Sequence, residues 1–133
     1  MSNDECIAKR GAWGTVEWAI DAQGNMPARE VYLQLSKKNR TKVLALFKWL
    51  ADFRFIPNDT KFKQLGPKAG PKGRFLWEFK SFQIRFIGDY RKGQRFIIGH
   101  GLDNKKGDDL RRADIDKAVR ILEEHDSREK DTR

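Results

Sequence analysis

The stretch "FLWEFKSFQIRFIGDYRKGQRFIIGH", Phe75–His100, decides the fold. Strand side chains alternate between two faces, so Phe75, Trp77 and Phe79 fall together in Phe75–Lys80. In Phe82–Ile87, Phe82, Ile84 and Phe86 alternate with Gln83 and Arg85. Ser81 between the two runs implies a tight hairpin, and "DYRKGQ" reads as a second turn. "RFIIGH" (Arg95–His100) is apolar without alternation, as a strand covered on both faces is. These three strands predict an antiparallel meander.

Upstream, "TVEWAI" (Thr15–Ile20) is β-branched and aromatic and reads as a first strand, with Trp13 and Trp18 as packing residues near it. Pro27 suits the first turn of a helix over Ala28–Ser36. In about Arg40–Phe53, Val43, Leu46, Phe47, Leu50 and Phe53 recur at three- and four-residue steps and form one apolar stripe. The short "KKN" link between these helices predicts an antiparallel helical hairpin. Thr60–Arg74 is rich in Gly, Pro and Lys, holds no acid, and reads as a loop. Ile115, Ala118, Val119 and Leu122 mark a C-terminal helix. The expected fold is therefore α+β: a small antiparallel sheet packed against an N-terminal helical hairpin, with a C-terminal helix. Residues 1–14 read as an N-terminal extension, 15–125 as one domain, and 126–133 as a flexible tail.

The 133 residues suffice for one core, and 38% of them are hydrophobic. No apolar run approaches the roughly 20 residues that span a bilayer, and the start of the chain has no apolar signal region. The lone Cys6 cannot form an internal disulfide. A cytoplasmic protein without a membrane partner is expected.

The net charge of +9 is concentrated. Residues 37–106 carry eighteen basic and five acidic side chains, while the flanking segments are slightly acidic. Mixed signs would serve solubility equally well, so a concentrated excess points to a polyanion, of which nucleic acid is the commonest. His100, at the end of the apolar strand, has three readings: a proton donor or acceptor, a phosphate contact, or a packed strand-end ring. Arg85, Lys80 and Arg74 are each read as a phosphate contact or as an ordinary solvated or paired cation. Lys105 and Lys106 follow His100 and would clamp RNA. Lys61, Lys63, Lys68 and Lys72 are candidates for backbone binding. Glu78 is a salt-bridge candidate for Arg85 or Arg95. Asp103, Asp108 and Asp109 read as turn and cap residues. No cysteine–histidine pattern has zinc spacing, and neither metal nor cofactor is expected.

The element order, with "LWEFK" (Leu76–Lys80), "FIIGHGL" (Phe96–Leu102), Lys105 and Lys106, and "ADIDKAVRILEEH" (Ala113–His125), resembles the RelE/HigB-type toxins of bacterial type II toxin–antitoxin systems. The nearest likeness is to the phage-derived HigB-like branch, over about Thr15–His125. The resemblance implies metal-independent cleavage of mRNA, usually on the ribosome, by attack of the ribose 2′-hydroxyl on the adjacent phosphate. It also implies a cognate antitoxin, a helix-turn-helix protein, and repression of the shared operon. His100, Arg85, Lys80 and Arg74 would form the catalytic set. Gln83 stands where that family places a phosphate-contacting arginine, with Arg85 two residues on along the same face. Two other functions compete: a ParE-like gyrase inhibitor on the same scaffold, and a non-catalytic RNA-binding module.

Overall fold

The computed structural model describes residues 4–66, 70–103 and 112–131. Its centre is a six-stranded sheet in the order β1-β2-β6-β5-β4-β3. The strands are β1 (Ile7–Arg10), β2 (Thr15–Trp18), β3 (Phe62–Leu65), β4 (Leu76–Ser81), β5 (Ile84–Arg91) and β6 (Arg95–Leu102). Every pairing is antiparallel except that of β2 with β6, which is parallel. Three helices complete the fold: α1 (Pro27–Gln34), α2 (Lys37–Phe53) and α3 (Arg112–Asp131).

This corrects the expected architecture. The sheet is mixed rather than small and antiparallel, and two strands precede the helices. No N-terminal helical hairpin carries the fold: α1 rests on β6 and β2, and α2 on β1, β2 and β4. The meander itself is present as β4–β5–β6. Parallel pairing joins segments separated by a long crossover, which local periodicity does not report. The "IAKR" run is too short and too polar to announce a strand, yet it pairs along β2. Likewise β3 lies inside the predicted loop. Its Lys63 suits an exposed edge, and of its residues only Phe62 is fully buried, stacked on Trp77 at 5.1 Å. α2 begins before the predicted Arg40, because the Ser36 hydroxyl accepts from the Asn39 N–H at 3.2 Å and caps the helix.

The sheet is covered on both faces. On one, α2 places Val43, Leu46, Phe47, Leu50 and Ala51 against Val16, Trp18, Phe79, Ile84, Phe86, Phe96 and Ile98. On the other, Ala118, Ile121 and Leu122 of α3 pack on Ala19, Leu76, Ile87 and Ile97. β6 is thus buried on both sides, as its unbroken apolar run predicts. Residues 126–131, expected as a flexible tail, continue α3. None of the described helices is long and apolar enough to cross a membrane.

Candidate functional site

His100 reaches its position through a bulge. Ile97 packs toward α3 and Ile98 toward α2. Simple alternation would turn His100 toward α2. The β5–β6 register instead shifts: Gly88 pairs with Ile98, but Ile87 pairs with His100, leaving Gly99 as the extra residue. A Cβ on Gly99 would lie 2.9 Å from Leu122 Cγ and 3.0 Å from the Ala118 carbonyl oxygen. Glycine therefore lets α3 approach the bulge, and the bulge turns His100 onto the α3 side.

There His100 Nε2 lies 3.2 Å from Asp114 Oδ1, in the first turn of α3. The ring is only 7% exposed. Burial is the main influence holding its pKa below the usual histidine value; Asp114 opposes this and Lys117 adds to it. A carboxylate can only accept a hydrogen bond, so with Asp114 ionised Nε2 carries the proton and Nδ1 the lone pair.

The antiparallel registers extend this face across the sheet. His100 is opposite Ile87, Ile87 opposite Glu78, and Glu78 opposite Lys63. In the adjoining line Leu102 is opposite Arg85, and Arg85 opposite Lys80. The Lys80 N–H donates to the Lys61 carbonyl at 2.8 Å. Four sequence candidates, His100, Arg85, Lys80 and Lys63, thus share one face and one end of the sheet, with Lys61 beside them.

Alternation with Ile84 and Phe86 predicts Arg85 on the sheet face away from the core under the helices. It is on the opposite face from α2, as alternation requires, but it is buried, at 4% exposure. Its Nη1 donates to the carbonyls of Phe82 and Ile84, and its Nε lies 3.8 Å from Glu78 Oε2. The anticipated Glu78 partner is therefore Arg85; Arg95 pairs with Glu17 and Glu129 instead. Phe82 and Gln83 form the β4–β5 turn rather than part of a strand, so Phe82 is not a core residue.

The remaining candidates divide. Arg74 and Lys72 lie at the other end of the sheet, where Asp89 faces Ile97 and Arg91 faces Arg95. Arg74 Nε is 3.5 Å from Asp89 Oδ2. Both residues line a cleft of about 610 Å³ between the sheet and the C-terminal half of α3. The structure does not bring them to His100. Lys68, Lys105, Lys106, Asp108 and Asp109 lie outside the described residues. Among the described residues no group of three or more His, Cys, Asp or Glu is placed to hold a metal ion.

Two participants escaped the sequence reading. Asp114 is an acid in a helix's first turn, which ordinarily reads as a dipole partner; only the fold brings it to His100. Gly99 carried a legible signal, since a glycine inside a strand marks a bulge or a close approach. No family model and no curated protein matches the chain.

Proposed function

We propose that this chain is the toxin of a type II toxin–antitoxin pair, a metal-independent endoribonuclease that cuts mRNA on the ribosome in the cytoplasm. The observation that carries the reading is that His100, Lys80 and Lys63 lie on one face and at one end of the sheet, on β6, β4 and β3, with Lys61 beside them. The basic excess of residues 37–106 supports a polyanionic substrate.

In this reaction the 2′-hydroxyl attacks the adjacent phosphorus, forming a 2′,3′-cyclic phosphate, and the 5′-oxygen leaves with a proton taken up from water. Charge grows on the non-bridging oxygens, where fixed cations stabilise it. Lys80, on β4, fills that role, and Lys63 and Lys61, farther from His100 across the sheet, hold flanking phosphates. His100, its pKa lowered and its Nε2 held by Asp114, has Nδ1 as the nitrogen left to take the hydroxyl proton. Arg85 holds the β4–β5 turn from beneath. The cognate antitoxin is a helix-turn-helix protein.

The test is induction of the chain in cells, with primer extension across cellular mRNAs. Cleavage inside translated codons is expected, reduced at least tenfold by Lys80→Ala and by His100→Gln. Intact mRNA during growth arrest would point to gyrase or another target. Unimpaired growth would sink the toxin reading. A second reading, a non-catalytic RNA-binding module, draws on the burial of His100 against Asp114 and of Arg85 against Glu78. It predicts RNA binding that Lys80→Ala weakens, with no cleavage at any site.

A further inference from the structure

Phe82 stands at the tip of the β4–β5 turn with 89% of its surface exposed, the most exposed large apolar side chain among the described residues. Its φ is 56°, in the left-handed region that disfavours residues with a Cβ. Among the described residues such positions are otherwise held by Gly24, Gly73 and Gly93 and by the polar Arg54, Lys72 and Gln94, so Phe82 is the one apolar side chain there. A phenylalanine here therefore works against both backbone preference and hydration, and its ring contributes almost nothing to the core. Glycine or asparagine would suit the turn better.

The turn is nonetheless held firmly. Ser81 pairs with Ile84 across it. The buried Arg85 guanidinium donates to the backbone carbonyls of Phe82 and Ile84, so the ring projects from a fixed base. Lys80 lies two residues before it, and the Lys80 N–H is bonded to the Lys61 carbonyl. The ring's chain neighbours, Lys80, Ser81 and Gln83, are polar. A protein-binding hot spot sits within a larger apolar patch that excludes water. An isolated ring beside cations instead matches the way single-stranded nucleic acid is held, with phosphates on lysines and a base on an aromatic face.

We propose that Phe82 is a stacking platform for an unpaired base of an RNA strand whose phosphates run along Lys61 and Lys80. This rests on the RNA-directed reading of the same face given above, and it adds the substrate's conformation: single-stranded at this point, with one base turned outward.

The experiment uses the full chain and a fluorescein-labelled single-stranded RNA dodecamer of mixed sequence, read by anisotropy at low salt. Phe82→Gly and Phe82→Asn should each lose on the order of tenfold in affinity, while their melting temperatures stay level or rise. Phe82→Trp should bind at least as well as the parent. A dodecamer of abasic sites should bind the parent about tenfold more weakly, with no further loss in Phe82→Gly. If Phe82→Gly binds like the parent while Lys80→Ala binds weakly, the stacking role is overturned and the RNA reading stands. Equal losses for Phe82→Gly on the normal and abasic strands would also overturn stacking. If the unaltered chain binds neither strand, the RNA reading falls and this one with it.

Discussion

Arg85 shows how a residue can look like chemistry and act as structure. Its alternation with Ile84 and Phe86 placed it on the face opposite α2, and that placement holds. Periodicity gives a face but not a depth, and at depth Arg85 meets Glu78, which is fully buried. Removing one member of a buried pair strands the other charge in a poor solvent. Arg85→Met should therefore lower stability by about 3 kcal/mol, measured as a reduced urea midpoint. Arg85→Met with Glu78→Leu should recover much of that loss. If the single variant unfolds like the parent, the pair is not structurally important, and loss of activity on mutating Arg85 could be read as chemistry. Until then Lys80, partly exposed on the same face, is the cleaner probe. Gly99 makes the complementary case: Gly99→Ala should destabilise the chain by about 1–3 kcal/mol, since the new methyl group meets the Ala118 carbonyl and Leu122. A thermal melt that is unshifted would mean α3 can retreat at no cost.

At the scale of elements, α3 is where local pattern and tertiary structure part. Its apolar positions through Leu122 were legible from spacing alone. "DSREKD", Asp126–Asp131, has no apolar stripe and reads as a tail. It stays helical because its acids reach the sheet. Arg91 donates from Nε and Nη2 to the two carboxylate oxygens of Asp126, at 2.9 and 3.0 Å. Arg95 bridges Glu17 of β2 and Glu129 of α3. Such bidentate pairing fixes orientation as well as distance. Hydrophobic periodicity cannot see charges that pair across long separations; β1 and β3 escape it because each is a four-residue run with too few apolar positions to show a period. Asp126 is about a third exposed, at 34%, so its pair with Arg91 is screened on one side. Asp126→Ala should therefore cost about 1–2 kcal/mol, below the range for fully buried pairs. Ending the chain after His125 removes Glu129 as well and should cost more. Urea unfolding of the two variants checks the order; a truncated chain as stable as the parent would return 126–133 to the status of a tail.

For the whole molecule, both histidines link folding to pH, and both act in the same direction. His125 is buried, and its Nδ1 accepts from the Ile20 N–H at 3.0 Å, joining the exit of β2 to α3. Accepting through Nδ1 requires that nitrogen to be unprotonated. Burial is the chief cause that lowers its pKa. Glu129, Asp126 and Glu17 oppose that shift, and Arg95 reinforces it. His100 is lowered too, again chiefly by burial. In the unfolded chain both rings take up a proton near pH 6.5. In the folded chain they do so only at lower pH. Below about pH 6.5 the unfolded state therefore binds more protons, and stability falls as pH falls. Each ring contributes at most about 1.4 kcal/mol per pH unit within that window. The urea midpoint should hold steady from pH 8 to 7 and then drop between pH 6.5 and 5.5. His125→Asn should start from a lower midpoint and show a shallower drop, because one of the two linked protons is gone. A midpoint that stays level or rises from pH 7 to 5.5 would show that the rings charge in place. It would then remove the basis for treating His100 as a neutral base held ready by Asp114.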